Sequence, residues 1–544
     1  MSQFHSMVSR RDFMKGLGLT GAGLGAAALI APVYHDIDEL IASPSGLQPR
    51  PWYVKELEIM KPAQDIDWSI MNRFDRADNE AHQQRTATKY RTRAQWDEKA
   101  AIRAAIDARR NKNQELGFSL KFQALVAGRS TNPTNITWGF EGITTTSSWA
   151  QTPDQRGVPK WTGSPEEASR MITAACRYYG TAMVGFATMD DTWRNKLIVK
   201  GTTAGGATYY GDPWPLPASK LQNIVYEDVA KPYSDATKGK LVIPTKPMSI
   251  IVMMDAQSRE NLKTTNSAIS KQNDNALQRN QTQGKIRLFN FLKALGDYSL
   301  CGLAGDQTNC TNVGASAVLT GLAESSRQNN WTISPEMGPA HTSLSVNTDL
   351  PLAPTPPVDA GLFRFCKTCG ICAKACPSSS ISFDKEPSYE IPNKKMITGE
   401  NKPNCCHAPG PKAFWTDMVD CYHYYTAGGG FGDRASGCWE CAAHCTFTQD
   451  HAAMVHSVVK ATVAKTAVFN SFSSKWIWPS GMVRRKVNLI REVLISTIPI
   501  SGGTCRCRPV ARTQILPQVK AGTGKTSNFR FPGEGISLPR KKRS

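Results

Sequence analysis

Long apolar runs are scarce in this chain. Beyond residue 31 of 544 no stretch approaches 18 uncharged apolar residues, so the remainder offers no membrane-spanning helix. Acidic residues are short at one end only. From Arg484 to Ser544 there are 14 Lys/Arg against 2 Asp/Glu, so a surplus of 12 out of the net +20 falls in the last 61 residues. The body that remains is only mildly basic and lacks the dense positive field of a nucleic-acid binder. The basic end, poor in acidic and aromatic side chains, reads as a disordered surface arm. Three motifs lack a required part. Gly522-Thr-Gly524-Lys525-Thr526 has Val519 where a phosphate loop needs its first glycine. His451 and His456 lack the glutamate of a zinc-protease helix, and Gly428-Gly-Gly-Phe-Gly432 lacks the strand and helix of a nucleotide site.

Cysteine is what the chain has in pattern. Cys366-Lys-Thr-Cys369-Gly-Ile-Cys372-Ala-Lys-Ala-Cys376-Pro377 is the C-x2-C-x2-C-x3-C-P run of bacterial-type ferredoxins. Three thiolates at that spacing wrap three corners of a 4Fe–4S cube, and the fourth, before proline, ligates a second cube. A second set follows: Cys421, then Cys438-Trp-Glu-Cys441-Ala-Ala-His-Cys445. The crossover rule assigns Cys366, Cys369, Cys372 and Cys445 to one cluster and Cys376, Cys421, Cys438 and Cys441 to the other. Structural zinc prefers paired C-x2–4-C knuckles, which this order does not form, and disulfides need no such spacing. Cys176, Cys301, Cys310, Cys405, Cys406, Cys505 and Cys507 are left as buried or free thiols.

The N-terminus reads Ser9-Arg10-Arg11-Asp12-Phe13-Met14-Lys15 before an apolar, Gly/Ala-rich run from Gly16 to Ala31. That is a twin-arginine export signal, too short and too rich in glycine for a span, with cleavage expected between Ala28 and Ser43. Export in the folded state agrees with cofactors inserted beforehand. Further on, 98–110 predicts a charged helix and 138–161 a loop. Ser164-Pro165-Glu166-Glu167 is a capping box opening a helix through Tyr179, closed by Gly180. Strands are expected over 181–188 and 249–254, a helix stopped at Gly296, and another over 313–327. Helices alternating with a few strands predict an α+β or α/β body. The prolines between Asp349 and Asp359 mark an extended connector delivering Cys366 to that body.

Several stretches then fall in one order: Arg10-Arg11, AACRYYGTAMVG (174–185), LKALGDY (292–298), TGLAE (320–324), ISPEMGP (333–339), the connector with its cysteine run (348–377), and CTFTQDHAAMVHSVVKATVA (445–464). Over residues 9–475 the chain resembles a respiratory reductive dehalogenase. That resemblance implies an α+β fold: a nitroreductase-like corrinoid-binding α/β body with a ferredoxin-like insert holding two 4Fe–4S clusters. It implies residues 1–43 as signal, 44–350 as corrinoid-binding domain, 351–450 as cluster domain, 451–475 as a return segment and 476–544 as an atypical tail. A cobalamin-type corrinoid is implied as the second cofactor, with Asn309 and His456 as pocket residues. No D-x-H-x-x-G motif offers a histidine to cobalt, in keeping with a base-off corrinoid.

The implied reaction replaces halogen by hydrogen in a small organohalide. Implied partners are a small integral-membrane anchor subunit and a membrane electron donor at the outer face of the cytoplasmic membrane, with no nucleic acid. The family also places a tyrosine proton donor upstream of the helix-ending Gly296, and an Arg or Lys partner after the SPE-x-G element. Here the tyrosine window reads Asn275-Ala276-Leu277-Gln278-Arg279, and residues 338–347 hold no Arg or Lys but do hold His341. The catalytic residue is therefore left unassigned, with Tyr298, His341 or water as proton sources. Two other readings stay open: a non-catalytic electron-transfer protein on this scaffold, and an epoxyqueuosine-reductase-type corrinoid iron–sulfur enzyme.

Overall fold

The computed structural model of the protein describes residues 37–42, 48, 50–80, 84–113, 138–143, 150–203, 217–265, 268–302, 310–329, 331–429, 438–448 and 454–466. The twin-arginine motif with its apolar run (9–31), Asn309 and the basic tail lie outside the described residues. Among those described, no helix is long and apolar enough to cross a membrane.

The helix Pro165–Tyr178 begins as its sequence demands. Ser164 Oγ accepts from Glu167 N at 3.2 Å, the Glu167 carboxylate accepts from Ser164 N at 2.8 Å, and Pro165 occupies the first turn. Ala168, Ile172 and Cys176, spaced by four, turn inward together. The chain then enters the strand Met183–Thr188, which pairs with Ser249–Ala256. Beyond lie His341–Thr348 and the short Leu300–Cys301, giving a four-stranded sheet in which every pair is antiparallel.

Both faces of this sheet are covered, which is why the central strand reads as an unbroken apolar run. Ile250, Val252 and Met254 enter one core with Trp193, Leu197, Leu319 and Leu322. Ile251 and Met253 enter the other, against Leu288 and Leu292 of the helix Ala268–Gly296. Burying three such residues on one face and two on the other contributes on the order of 2 kcal/mol per side chain. A second sheet, ordered Gly201–Thr203, Leu221–Glu227, Lys240–Pro244 and Tyr233–Asp235, contains one parallel pair and extends the first core. The body is thus mixed α+β, and its main sheet is not the parallel kind that an α/β alternation would build.

Three elements differ from expectation. The helix predicted over 313–327 ends at Leu319. Thr320 caps it, and Gly321 follows at φ +72°, where an added Cβ would collide with Pro356 O of the connector. A helix continued past Thr320 would drive a turn through that connector. The stretch predicted as a loop over 138–161 holds a two-residue hairpin, Trp138–Gly139 with Gly142–Ile143, and the capped turn Pro153–Arg156. The charged helix predicted over 98–110 is longer, Arg93–Lys112, and buries Trp96 beside Tyr422.

The proline-rich connector is extended, and it serves the edge of the sheet. Thr355 N donates to Phe186 O at 3.0 Å, and Phe186 N donates to Thr355 Oγ1 at 2.9 Å. Groups that an edge strand would leave open are thereby closed. Val358–Asp359 then pairs with Lys55–Glu56, and the chain turns into the cysteine run.

Candidate functional site

The cysteine run folds as two short helices, Leu362–Cys369 and Ile371–Ala375, hinged at Gly370 with φ +63°. The left-handed glycine reverses the chain after Cys369, so Cys366, Cys369 and Cys372 come round to one cavity. Cys445, from the end of the helix Glu440–Ala443, lines the same cavity with Phe365, Ile371 and Phe447. Cys376 leaves the second helix in extended conformation and turns away. Its sulfur faces the other set, with Ser380 N donating to it at 3.3 Å and Ser378 Oγ at 3.4 Å.

Electrostatics divides the eight sulfurs in the same way. Burial is the first cause of every raised thiol here; the nearest neighbouring charges then sort them. Cys445, pushed well above the ordinary thiol value, feels Cys366, Cys369 and Cys372. Cys438, also pushed well above it, feels Cys421 and Cys376. Cys421 is pushed up to about 12 with Cys376 as its largest charged neighbour. Cys441 feels Cys438, Cys421 and Cys376, but also Cys372, so the two sets adjoin. Cys372, Cys376 and Cys441 pack around Ala373 and Ile381 at that junction. The structure therefore brings together the two groups of four that the crossover rule assigns.

The donor set suits a polynuclear centre. Four thiolates on one zinc stand about 3.8 Å apart, the edge of a tetrahedron with Zn–S near 2.3 Å. Among the described residues no three His, Cys, Asp or Glu side chains converge to hold a single metal ion. Cys366, Cys369, Cys372 and Cys445 line one cavity together. Buried thiols with raised proton affinity ionise only when a metal core takes the place of the proton.

Two buried ionic side chains hold this loop, and the sequence alone did not single them out. Glu324, 2% exposed, accepts from Ala360 N at 2.6 Å, Phe363 N at 3.1 Å and Leu362 N at 3.4 Å. It caps from a distance the helix that carries Cys366 and Cys369, whose own start is the glycine Gly361. Burial pushes its carboxyl up to about 7, against the pull of those three N–H groups. Arg327, also 2% exposed, donates to the carbonyls of Cys366, Lys367, Ser382 and Asp384. The only signal was that Glu324 closes the TGLAE stretch. The ISPEMGP stretch serves the same region: Gly338, at φ +63°, packs where a Cβ would collide with Phe447 O, two residues after Cys445.

The remaining candidates separate. His456 lies in the helix Met454–Lys465, and its side chain, like Asn309, lies outside the described residues. Tyr298 donates its hydroxyl to Trp161 O at 3.0 Å, with Lys160 Nζ 5.4 Å from its ring centroid, and burial raises its phenol further. His341 is 2% exposed and bonds Thr332 O through Nε2 at 3.1 Å; burial lowers its pKa to about 4. It is therefore a neutral imidazole, with Nε2–H donating to that carbonyl and the Nδ1 lone pair without a partner among the described residues. It shares one strand face with buried Ser343, Ser345 and Asn347, and Asn347 Oδ1 is likewise unpartnered.

Fold and site together define a mixed α+β protein that gathers two adjoining sets of four buried or partly buried cysteines. The family described as reductive dehalogenase subunit matches residues 49–352. The chain belongs to the reductive dehalogenase family. It is 32% identical to the chloroethene reductive dehalogenase of Dehalococcoides mccartyi strain VS over 87% of its own length and 93% of that protein's. It is 28% identical to the trichloroethene reductive dehalogenase of another strain of that organism, over 86% and 93%. Among solved structures, a variant of the catabolic reductive dehalogenase NpRdhA shares the fold, with TM-score 0.52 at 16% identity over 81% of this chain. The chain spans half the length of that protein.

Proposed function

We propose that the chain is the catalytic subunit of a reductive dehalogenase, carrying two 4Fe–4S clusters and a cobalamin-type corrinoid in a nitroreductase-like body. The reaction consumes an organohalide, two electrons and a proton and yields the hydrogenated product and halide. The observation that supports it most is the crossed set of eight sulfurs inside a member of this family. Each cluster, when bound, passes one electron at a time, and the corrinoid supplies the low-potential metal that acts on the carbon–halogen bond.

The chain's own residues do the rest. Cys366, Cys369, Cys372 and Cys445 would hold one cluster, and Cys376, Cys421, Cys438 and Cys441 the other. Cys372 and Cys441 are neighbours across the two sets, so clusters held there would adjoin. Apolar Phe365, Ile333 and Phe447 keep water from the first set. The buried strand face with the two unpartnered acceptors, His341 Nδ1 and Asn347 Oδ1, suits donors of a bound polar group such as a corrinoid amide. Asn309 and His456 are proposed for the same pocket. Export through the twin-arginine route would place the protein at the outer face of the cytoplasmic membrane, held by a small membrane anchor and supplied by a membrane donor.

Anaerobic reconstitution with iron, sulfide and corrinoid tests the proposal. The expected result is about eight irons per chain and halide release from at least one member of a chloroalkene, chloroalkane and haloaromatic panel. An iron content near four, or refusal of corrinoid, would sink it. One observation favours a second reading, a non-catalytic electron carrier: the tyrosine window holds Gln278, and the Tyr298 hydroxyl is already engaged with Trp161 O. Fully loaded protein that releases no halide from the whole panel would select that reading.

A further inference from the structure

We propose that Arg327 is a fixed buried cation that raises the reduction potential of the site formed by Cys366, Cys369, Cys372 and Cys445 above that of its neighbour. The inference rests on the two-cluster reading. Arg327 and the four cysteines line one cavity, and its guanidinium lies over the Phe414 ring, 4.1 Å from the centroid. Its partners are four carbonyl oxygens: Cys366 O at 2.9 Å, Lys367 O at 3.1 Å, Ser382 O at 2.9 Å and Asp384 O at 2.7 Å. Carbonyls fix the plane of the guanidinium without cancelling its charge. Two of them belong to the cysteine helix itself, so the charge and the sulfurs are held as one rigid unit.

An electron entering the cluster adds negative charge in a low-dielectric site, where a nearby cation stabilises it far more than at the surface. A guanidinium keeps its charge at every working pH, so the effect is constant. It is also selective. Arg327 lines the cavity of Cys366, Cys369, Cys372 and Cys445, and no cysteine of the second set lines it. Beside the second set the charged side chains are paired with one another, Asp417 and Asp420 with Lys394 and Glu440 with His444. A fixed cation lining one cavity, and only paired charges beside the other site, separate two centres of the same chemistry. The electron then rests on the Arg327 side unless a donor keeps both centres reduced.

The test is an anaerobic redox titration of the loaded full chain, followed by the electron paramagnetic resonance of the reduced clusters, for the wild type, Arg327→Gln and Arg327→Lys. A wild type that loads fewer than about eight irons defeats the two-cluster reading and, with it, this inference. A wild type with two resolved couples leaves the inference to stand or fall by itself. Arg327→Gln is expected to lower one couple so that, at a fixed potential near its midpoint, the reduced-to-oxidised ratio drops at least tenfold. For one electron that is about 59 mV. Arg327→Lys should hold that ratio within threefold of wild type, and the second couple should stay in place in both. A Gln variant with full iron and unmoved couples overturns the proposal, as do equal shifts in both variants, which would mean shape and not charge. If the Gln variant does not load, the Lys variant decides. An unchanged couple with fewer donors supports the charge, and a tenfold change refutes it.

Discussion

Removing the charge of Glu324 without removing its shape should erase a specific piece of the protein's pH dependence. The carboxyl is fully buried, and burial outweighs three backbone N–H donors to push it from 4.5 to about 7. A folded-state value above the unfolded one means that the folded chain binds more protons between those limits. Stability from this group is therefore complete below pH 4.5 and is lost as pH rises through 7. That rise corresponds to roughly 3 kcal/mol, most of it falling between pH 5 and pH 8. Glu324→Gln keeps an oxygen to accept from Ala360 N and cannot ionise, so it should be the less stable chain at pH 5. By pH 8 it should have gained on the order of 2 kcal/mol relative to wild type. The measurement is guanidinium unfolding of both chains under anaerobic conditions at pH 5, 6, 7 and 8, followed by circular dichroism. The difference between the chains cancels every other titrating group. A difference that stays flat from pH 5 to pH 8 would refute the reasoning and return Glu324 to the role of an ordinary ionised cap.

The crossed partition predicts that Cys376→Ser and Cys421→Ser abolish the same resonance signal, while Cys445→Ser and Cys366→Ser abolish the other; an uncrossed site would pair Cys376 with Cys366. Gly338→Ala should destabilise the chain by about 2 kcal/mol or more, because φ +63° and the nearby Phe447 O both oppose a side chain. A melting temperature within one degree of wild type would refute that. His341, lowered from 6.5 to about 4, gives stability that is present above pH 6.5 and lost as pH falls through 4. His341→Gln should therefore retain more of its stability than wild type between pH 6.5 and pH 4, read from paired unfolding curves. Tyr298→Phe should cost about 1 kcal/mol for one buried hydrogen bond and leave halide release unchanged; loss of turnover would show that the phenol acts on substrate.

Local signals were legible because local physics decides them. Ser164 with Glu167, Gly180 and the apolar run 249–254 each state their structure within a few residues, since caps, stops and a doubly buried strand depend on near neighbours. The spacing of Cys366, Cys369, Cys372 and Cys376 is equally local, and it carried the pairing with Cys445 and Cys421 through a rule about cube geometry. The helix expected to reach Arg327 stops at Leu319 because Pro356, far along the chain, occupies the space beyond Gly321. Nothing near Thr320 in sequence reports that collision.

By itself, then, the sequence determined the eight sulfurs, the extended connector and the motifs that mark the family. Tertiary structure alone decided the antiparallel order of the main sheet, the engagement of Tyr298 with Trp161 and the placing of Glu324 and Arg327 under the cysteine helix. The reason is range. A cap or a ligand spacing is written in consecutive residues, whereas the cost of burying a charge depends on which distant carbonyls and N–H groups come to meet it.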